Sequence, residues 1–364
     1  MTTHMKSLPT EFESHSNFFE EIVGRKEVAG LSHEQLRNSF SEERILVIGA
    51  GGTIGSAISR KLVLAGLSET YFLDRDESAL HHLALSLSNE AASHSEKCIV
   101  ADIKDFESVY SAIIQIQPTM ILHAAALKHL VVLERFPREG FVTNVIGTLN
   151  VLEASSRSGV KNFINISTDK AALPTSVLGM TKKITEVLVE DFSREQFELA
   201  ASVRFGNVFA SRGSVIETFV HQLKNNLPIT ITDEKVARFF MSHNEAANLV
   251  LSAATIKENG TFVQKMGEEV KITEIVKQLA KWLDVEYELV FVGLHSGEKL
   301  SEDLYDGDIL QTKFSDIVKI KDLTNARIRE EVNQMRTEIP SDIGGKLREL
   351  ISIIYKSASV QSND

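Results

Sequence analysis

The chain has 364 residues, a formal net charge of −11, 43% hydrophobic residues and one cysteine. That is enough chain and apolar content for one large domain with a smaller companion. The negative charge argues against a general nucleic-acid or anionic-membrane surface, and the lone Cys98 excludes an intramolecular disulfide. No apolar run approaches the roughly 20 residues that a bilayer crossing requires. The N-terminus is polar and mixed in charge, without the pattern of a targeting signal. The expectation is a soluble, cytoplasmic protein with neither a membrane nor a nucleic-acid partner.

In chain order, residues 1–43 are polar and poorly periodic, with short helices expected over "HSNFFEEIVG" and "SHEQLRNSF". They read as an arm lying on the domain. From Arg44 the pattern becomes regular: strand "RILVIGA", helix "TIGSAISRKLVLAG", strand "TYFLD", helix "SALHHLALSLSNEA", strand "KCIVADI", helix "DFESVYSAIIQIQ" and strand "TMILHAA". A long helix near 138–159 and strand "NFINIST" follow. Short apolar runs alternating with amphipathic helices predict a parallel sheet covered on both faces, the α/β doubly wound (Rossmann) class, over residues 44–206. Beyond it, helices near 215–225, 243–256, 272–283 and 340–357 alternate with short strands such as "PITIT", "TFVQK" and "YELVFV". Residues 207–355 are therefore expected to form a smaller C-terminal α/β substrate-binding region, with a flexible tail at 356–364.

"GAGGTIG" places Gly49, Gly52 and Gly55 between a strand and a helix, with Thr53 and Ile54 opening the helix. Glycine there permits the tight turn, the approach of backbone to a diphosphate, and close helix–strand packing. The free N–H groups of the helix start then face the phosphates. Asp74 ends the second strand, where a carboxylate can accept both adenosine ribose hydroxyls, which favours NAD. Arg75 follows at once and leaves NADP open. Asp102 is placed either to contact the adenine or to cap the helix of "KDFESVY".

"GAGGTIG", "HAAALKH", "TNVIGT", "STDKAALPTSVLGMTKK", "RFGNVFASRGSVI", "ARFFMSHNEAANLV" and "SGEKLSEDL" occur in one order between about Phe18 and Leu304. Together they resemble the extended short-chain dehydrogenase/reductase family, specifically its polysaccharide-biosynthesis 4,6-dehydratases acting on UDP-N-acetylglucosamine. "EEIVGRKEV" resembles the segment preceding the catalytic domain of membrane-anchored members, whose transmembrane helices this sequence does not show. The resemblance implies an internal redox cycle: oxidation at C4, proton removal at C5, loss of O6 as water, and return of hydride to C6. It implies that Thr168 holds the C4 oxygen, Asp169 is the acid at O6, Lys170 the base at C5, and Lys182 binds the nicotinamide ribose. It adds Ile103, Ala124 and Ala125 to the cofactor contacts, and Lys128, Asn207, Arg212, Arg238 and Glu298 to the substrate contacts, with Asn207 and Arg238 at the diphosphate. It also implies a homo-oligomer assembled through the helices near 138–159 and 175–193. The eleven histidines suggest no metal site, and His123 and His129 are expected to line or brace the pocket.

Two positions depart from the family: His295-Ser296 replaces a usual Arg-Pro pair, and Leu178 stands where most members carry a tyrosine and some a methionine. Leucine moves no proton. The economical expectation uses Asp169 twice, first taking the C4 hydroxyl proton and then delivering it to O6. Lys170 is expected to serve as a base through a pKa lowered by burial and by the cationic Lys182 and nicotinamide. Without that setting, "STDK" would read as a capping turn with a solvated lysine, and Arg238 and Glu298 as a surface ion pair. The rival functions are a nucleotide-sugar epimerase or reductase of the same fold, and a non-catalytic dinucleotide-binding protein.

Overall fold

The structure, a computed structural model, describes residues 14–87, 92–321 and 327–361. The strands β1 (Ile45–Ile48), β2 (Thr70–Asp74), β3 (Cys98–Val100), β4 (Met120–His123), β5 (Asn162–Thr168) and β6 (Leu199–Phe205) form where the apolar runs stand. β1 is buried at every position, as a strand covered on both faces must be. The chain continues through β7 (Asn207–Val208), β8 (Ile229–Ile231), β9 (Ala237–Arg238), β10 (Phe240–Met241), β11 (Gly260–Gln264), β12 (Val270–Lys271), β13 (Leu289–Phe291), β14 (Ile309–Gln311) and β15 (Ile317–Ile320).

Nine of these make one sheet in the order β14-β15-β11-β6-β5-β4-β1-β2-β3. From β3 to β11 all pairings are parallel; β15 then pairs antiparallel with β11, and the edge strand β14 antiparallel with β15. The order reverses between β1 and β4, which opens a crevice at their carboxyl ends. β11, β14 and β15 thus extend the large sheet although they lie within 207–355. The remaining short strands form three two-stranded pieces, β7 with β10, β8 with β13 and β9 with β12, at the carboxyl side of the sheet.

Helix Val177–Ser193 is buried at every residue except Glu190. It packs against β5 and β6 on one side, and helices Arg327–Thr337 and Ile343–Gln361 cover the other. Arg329 lies over the Phe192 ring at 4.0 Å, and Arg336 bonds Glu153 at 2.9 Å. The chain's own C-terminal helices therefore occupy faces of the two helices expected to carry a dimer contact. The expected helix at 138–159 is in fact three pieces: Pro137–Gly140, a π-helical segment Phe141–Ile146, and Gly147–Arg157. The last helix continues to Gln361 through part of the expected tail, while residues 1–13 and 362–364 lie outside the described residues. Among the described residues, no helix is long and apolar enough to cross a membrane.

Helix Ser14–Val23 buries Phe18, Phe19, Ile22 and Val23 in a separate apolar cluster with Phe209 and Ile275. Arg25 then clamps Glu245 at 2.6 Å. The arm is thus built into the apolar cluster formed by residues of the 207–355 region.

Candidate active site

A cleft of about 800 Å³ opens at the carboxyl ends of β1, β2, β4 and β5. Its first wall is the glycine turn. Gly49 has φ +80, and a Cβ there would sit 2.5 Å from the Ala125 nitrogen, so β1 and β4 meet only because the residue is glycine. A Cβ on Gly55 would lie 2.1 Å from the Gly49 carbonyl oxygen, so this glycine lets helix Thr53–Leu64 seat on β1. Gly52 caps that helix without a side-chain bond, which leaves its first N–H groups facing the cleft. Asp74 accepts from the Gly51 N–H at 2.9 Å and the Asp76 N–H at 3.0 Å, fixing its carboxylate at the rim. Arg75 leans 3.9 Å from Asp102, whose Oδ1 accepts from the Lys104 N–H at 3.0 Å. Asp102 does not cap the next helix, because Asp105 does. A bare helix start, a glycine cradle that any Cβ would fill, and a fixed carboxylate at the second strand end fit a dinucleotide.

Of the residues singled out from sequence, Gly49, Gly52, Thr53, Ile54, Gly55, Asp74, Arg75, Asp102, Ile103, Ala124, Ala125, Lys128, Thr168, Lys170, Lys182, Asn207 and Arg212 all line this one cleft. Asp169, Arg238 and Glu298 do not. Arg238 is turned onto Glu298 at 3.2 Å and also donates to the Ala237 and Leu300 carbonyls. Both side chains are largely buried, so this is an interior ion pair and not a surface one.

The end of β5 carries Thr168 and leads directly into Asp169 and Lys170. β5 is paired on both sides, with Ser167 opposite Arg204 and Thr168 opposite Phe205 in β6. Past it, Asp169–Ala171 form a single 3-10 turn with Thr168 as the cap. Gly179 brings the next helix down onto this turn: a Cβ there would stand 2.1 Å from the Lys170 carbonyl oxygen. Asp169 is fully buried. Its Oδ1 accepts from the Thr168 hydroxyl at 2.8 Å, the Lys170 N–H at 2.8 Å and the Lys170 ammonium at 3.0 Å, and its Oδ2 has no partner among the described residues. The Lys170 ammonium also reaches Asn207 Oδ1 at 3.1 Å and Glu302 at 3.4 Å. Lys170 is not a solvated lysine on a capping turn.

The electrostatics reverse one expectation. Burial alone would lower the Lys170 pKa, but the carboxylates of Asp169 and Glu302 more than offset it and hold it above its ordinary value. At rest Lys170 is an ammonium. Lys182 is the group that burial pulls down, to about 8, with Glu186 only partly opposing. It lines the cleft, and its ammonium makes no hydrogen bond to a described residue. Leu178 lines the same wall and is otherwise packed in the core. His129 lines the cleft too, whereas His123 braces it from behind, bonding Thr148 at 3.0 Å, with a pKa pushed down to about 3 by burial and Lys182.

Sequence reasoning missed Glu302. It lies four residues past Glu298 in "SGEKLSEDL", is 5% exposed, and stands between Lys170 and Arg238. An acid buried beside two expected cations is the signal, and only the fold brings it there.

A family model described as "Polysaccharide biosynthesis protein" matches residues 45–322. The chain is 35% identical over 290 residues to the "Probable polysaccharide biosynthesis protein EpsC" of Bacillus subtilis and 34% identical over 291 residues to the "Capsular polysaccharide biosynthesis protein CapD" of Staphylococcus aureus. Each match covers 78% of this chain but only 48% of the relative, so the chain spans about half the length of these curated relatives. A protein named "UDP-glucose 4-epimerase" from Rickettsia canadensis is 32% identical over 78% of this chain and 82% of its own length. Among solved structures, Pen from Bacillus thuringiensis aligns with a TM-score of 0.67 at 30% identity, covering 82% of this chain and 98% of that one. The UDP-glucose 4-epimerase of Thermus thermophilus, solved in complex with NAD, shares the fold at a TM-score of 0.61 and 23% identity, over 72% of this chain and 90% of that one. With the matched region spanning the glycine turn, the Thr168–Lys170 turn and the outer strands of the sheet, the chain belongs to the polysaccharide biosynthesis protein family.

Proposed function

We propose that the protein is a nucleotide-sugar 4,6-dehydratase that uses NAD and converts UDP-N-acetylglucosamine to a UDP-4-keto-6-deoxy-N-acetylhexosamine. The observation that carries this reading is the carboxylate–ammonium pair of Asp169 and Lys170, 3.0 Å apart, with Lys170 lining the cleft and Asp169 fully buried beside it. Removing water across C5 and C6 calls for a proton acceptor at C5 and a proton donor at O6. A C4 epimerase or a simple reductase needs neither. The dinucleotide, held by the glycine turn and Asp74, supplies the hydride acceptor and donor within one cycle.

The proton count assigns the roles. At rest the pair holds one transferable proton, on Lys170. Moved across to Asp169 Oδ1, it makes Asp169 the acid for O6 and frees Lys170 as the base for C5. Asp169 then has no room for the C4 hydroxyl proton as well, which weighs against its double use. Leu178 cannot take that proton. Lys182 can, because its amine faces the cleft, is free of hydrogen bonds to described residues, and has a pKa of about 8. In this reading Thr168 holds the C4 oxygen, a role supported by its hydroxyl lying beside Asp169, to which it donates.

A second reading, epimerisation at C4, has the Rickettsia relative in its favour. A proton NMR time course with UDP-N-acetylglucosamine and UDP-glucose, without added oxidant, separates the two. The dehydratase reading expects a new C6 methyl signal from the N-acetylated substrate. A C4 epimer with C6 still hydroxylated would overturn it.

A further inference from the structure

The turn that carries Thr168, Asp169 and Lys170 is fastened at both ends by groups outside it. At its start, Ser167 donates its hydroxyl to Glu186 at 2.6 Å, and Arg204 grips the same carboxylate with two bonds at 2.8 and 2.7 Å. Arg204, 1% exposed, also donates to Asp306 at 2.8 Å. Asp306 in turn takes the Lys183 ammonium at 2.6 Å, so each of these buried charges is paired. At the far end of the turn, Leu173 has φ +44, a left-handed conformation that a leucine keeps only where its surroundings impose it. Its N–H donates to the Tyr355 hydroxyl at 3.2 Å, and that hydroxyl donates to Asp306 at 2.7 Å. One unbroken chain of hydrogen bonds therefore runs from Ser167 through Glu186, Arg204, Asp306 and Tyr355 to Leu173, closing a ring around the reactive turn. The charged side chains of Glu186, Arg204 and Asp306 are buried and fully paired, which fixes their geometry. The last link, from the half-buried Tyr355 to the exposed Leu173, carries that geometry to the surface end of the turn.

Tyr355 comes from helix Ile343–Gln361, beyond residue 322 where the family match ends. We propose that Tyr355 is a positioning residue for the Asp169–Lys170 pair, because its hydroxyl ties Leu173 to Asp306 and so sets the turn against the cleft. The proposal rests on reading that pair as the acid and base.

Tyr355→Phe tests it in the full chain. The variant keeps the ring, which lies 5.5 Å under the Lys183 ammonium, and removes only the hydroxyl. The kcat for turnover of UDP-N-acetylglucosamine should fall about tenfold, the rate equivalent of one ordinary hydrogen bond, with KM and NAD affinity unchanged within about twofold. The Leu173 amide should exchange its hydrogen about tenfold faster or more. Ile351→Ala, on the same helix and packed against the same core, should lower the melting temperature and leave both readouts in place. Unchanged Leu173 exchange in Tyr355→Phe overturns the proposal, whatever kcat does. So does an unchanged kcat, or an equal fall in kcat in Ile351→Ala. If the unmodified protein turns over no nucleotide sugar, the dehydratase reading fails, and Leu173 exchange alone decides whether Tyr355 holds the turn.

Discussion

Three substitutions, at Asp169, Lys170 and Lys182, read by reduced cofactor and not by product, separate the group that accepts the C4 proton from the two that act after oxidation. Asp169→Asn removes the donor for O6 while leaving Lys182 to accept the C4 proton. It should therefore oxidise C4 and stall with bound NADH, as Lys170→Met should for want of a base at C5. Lys182→Met should show no reduced cofactor at all, with NAD affinity measured separately to account for a lost ribose contact. Absorbance of the enzyme mixed with substrate in a single turnover checks all three. If Asp169→Asn yields no NADH while Lys182→Met does, Asp169 serves twice and the proton count above is wrong. General-base assistance is typically worth about 10²–10⁴-fold, so these are large signals. The cofactor choice also belongs to single residues. Asp74 holds its carboxylate at the rim through two backbone N–H groups, and Arg75 is drawn toward Asp102. NAD should bind more tightly than NADP, and Asp74→Ser should narrow or reverse the difference by freeing the site for a 2′-phosphate beside Arg75. Equal or tighter NADP binding by the unmodified protein would contradict this.

Among the elements, helix Val177–Ser193 sets the site, because it delivers Leu178 and Lys182 to the cleft and closes on the reactive turn at Gly179. Gly179→Ala forces a Cβ to within 2.1 Å of the Lys170 carbonyl oxygen. Overpacking of that kind costs about 1–3 kcal/mol, and here the strain falls on the turn itself. Urea unfolding should show the loss, and kcat should fall further than for a core substitution of equal cost elsewhere. Equal falls would mean that the close approach is only packing. The strand–helix alternation was legible in sequence because buried parallel strands are short continuous apolar runs; the glycine turn, Asp74 and Asp102 followed from their places at strand ends, and the other cleft residues from the resemblance to the family. β14 and β15 were not legible: "ILQ" and "IVKI" are short, sit in a polar stretch and owe their pairing to β11. Helix Arg327–Thr337 escaped for a similar reason, since its apolar residues Ile328, Val332 and Met335 are few in a strongly charged segment. The Lys170 ammonium state could not be read either. It depends on Asp169 and also on Glu302, which is remote in sequence and adjacent only once the loop before β14 has folded back.

For the molecule as a whole, burying Lys182 couples the site to stability. Folding lowers its pKa from 10.5 to about 8, so between those values the unfolded chain holds a proton that the folded chain does not. Stability from this group therefore rises with pH across that window, and below about pH 8 the full penalty of the buried ammonium is present. Lys182→Met should stabilise the cofactor-free protein at pH 7 by on the order of 3 kcal/mol and flatten the rise toward alkaline pH. Urea titrations at neutral and alkaline pH check it, and a variant less stable than the parent at pH 7 would contradict the burial argument. The helix Val177–Ser193 is covered by the chain's own C-terminal helices, which leave little of its surface exposed. In the proposed dehydratase cycle, hydride leaves C4 and returns to C6 of the same sugar. UDP-N-acetylglucosamine carrying deuterium at C4, incubated with the protein and no added oxidant, should give a 4-keto product with that deuterium in its C6 methyl group. Deuterium found again at C4, in a sugar with inverted configuration there and an intact C6 hydroxyl, would contradict the account.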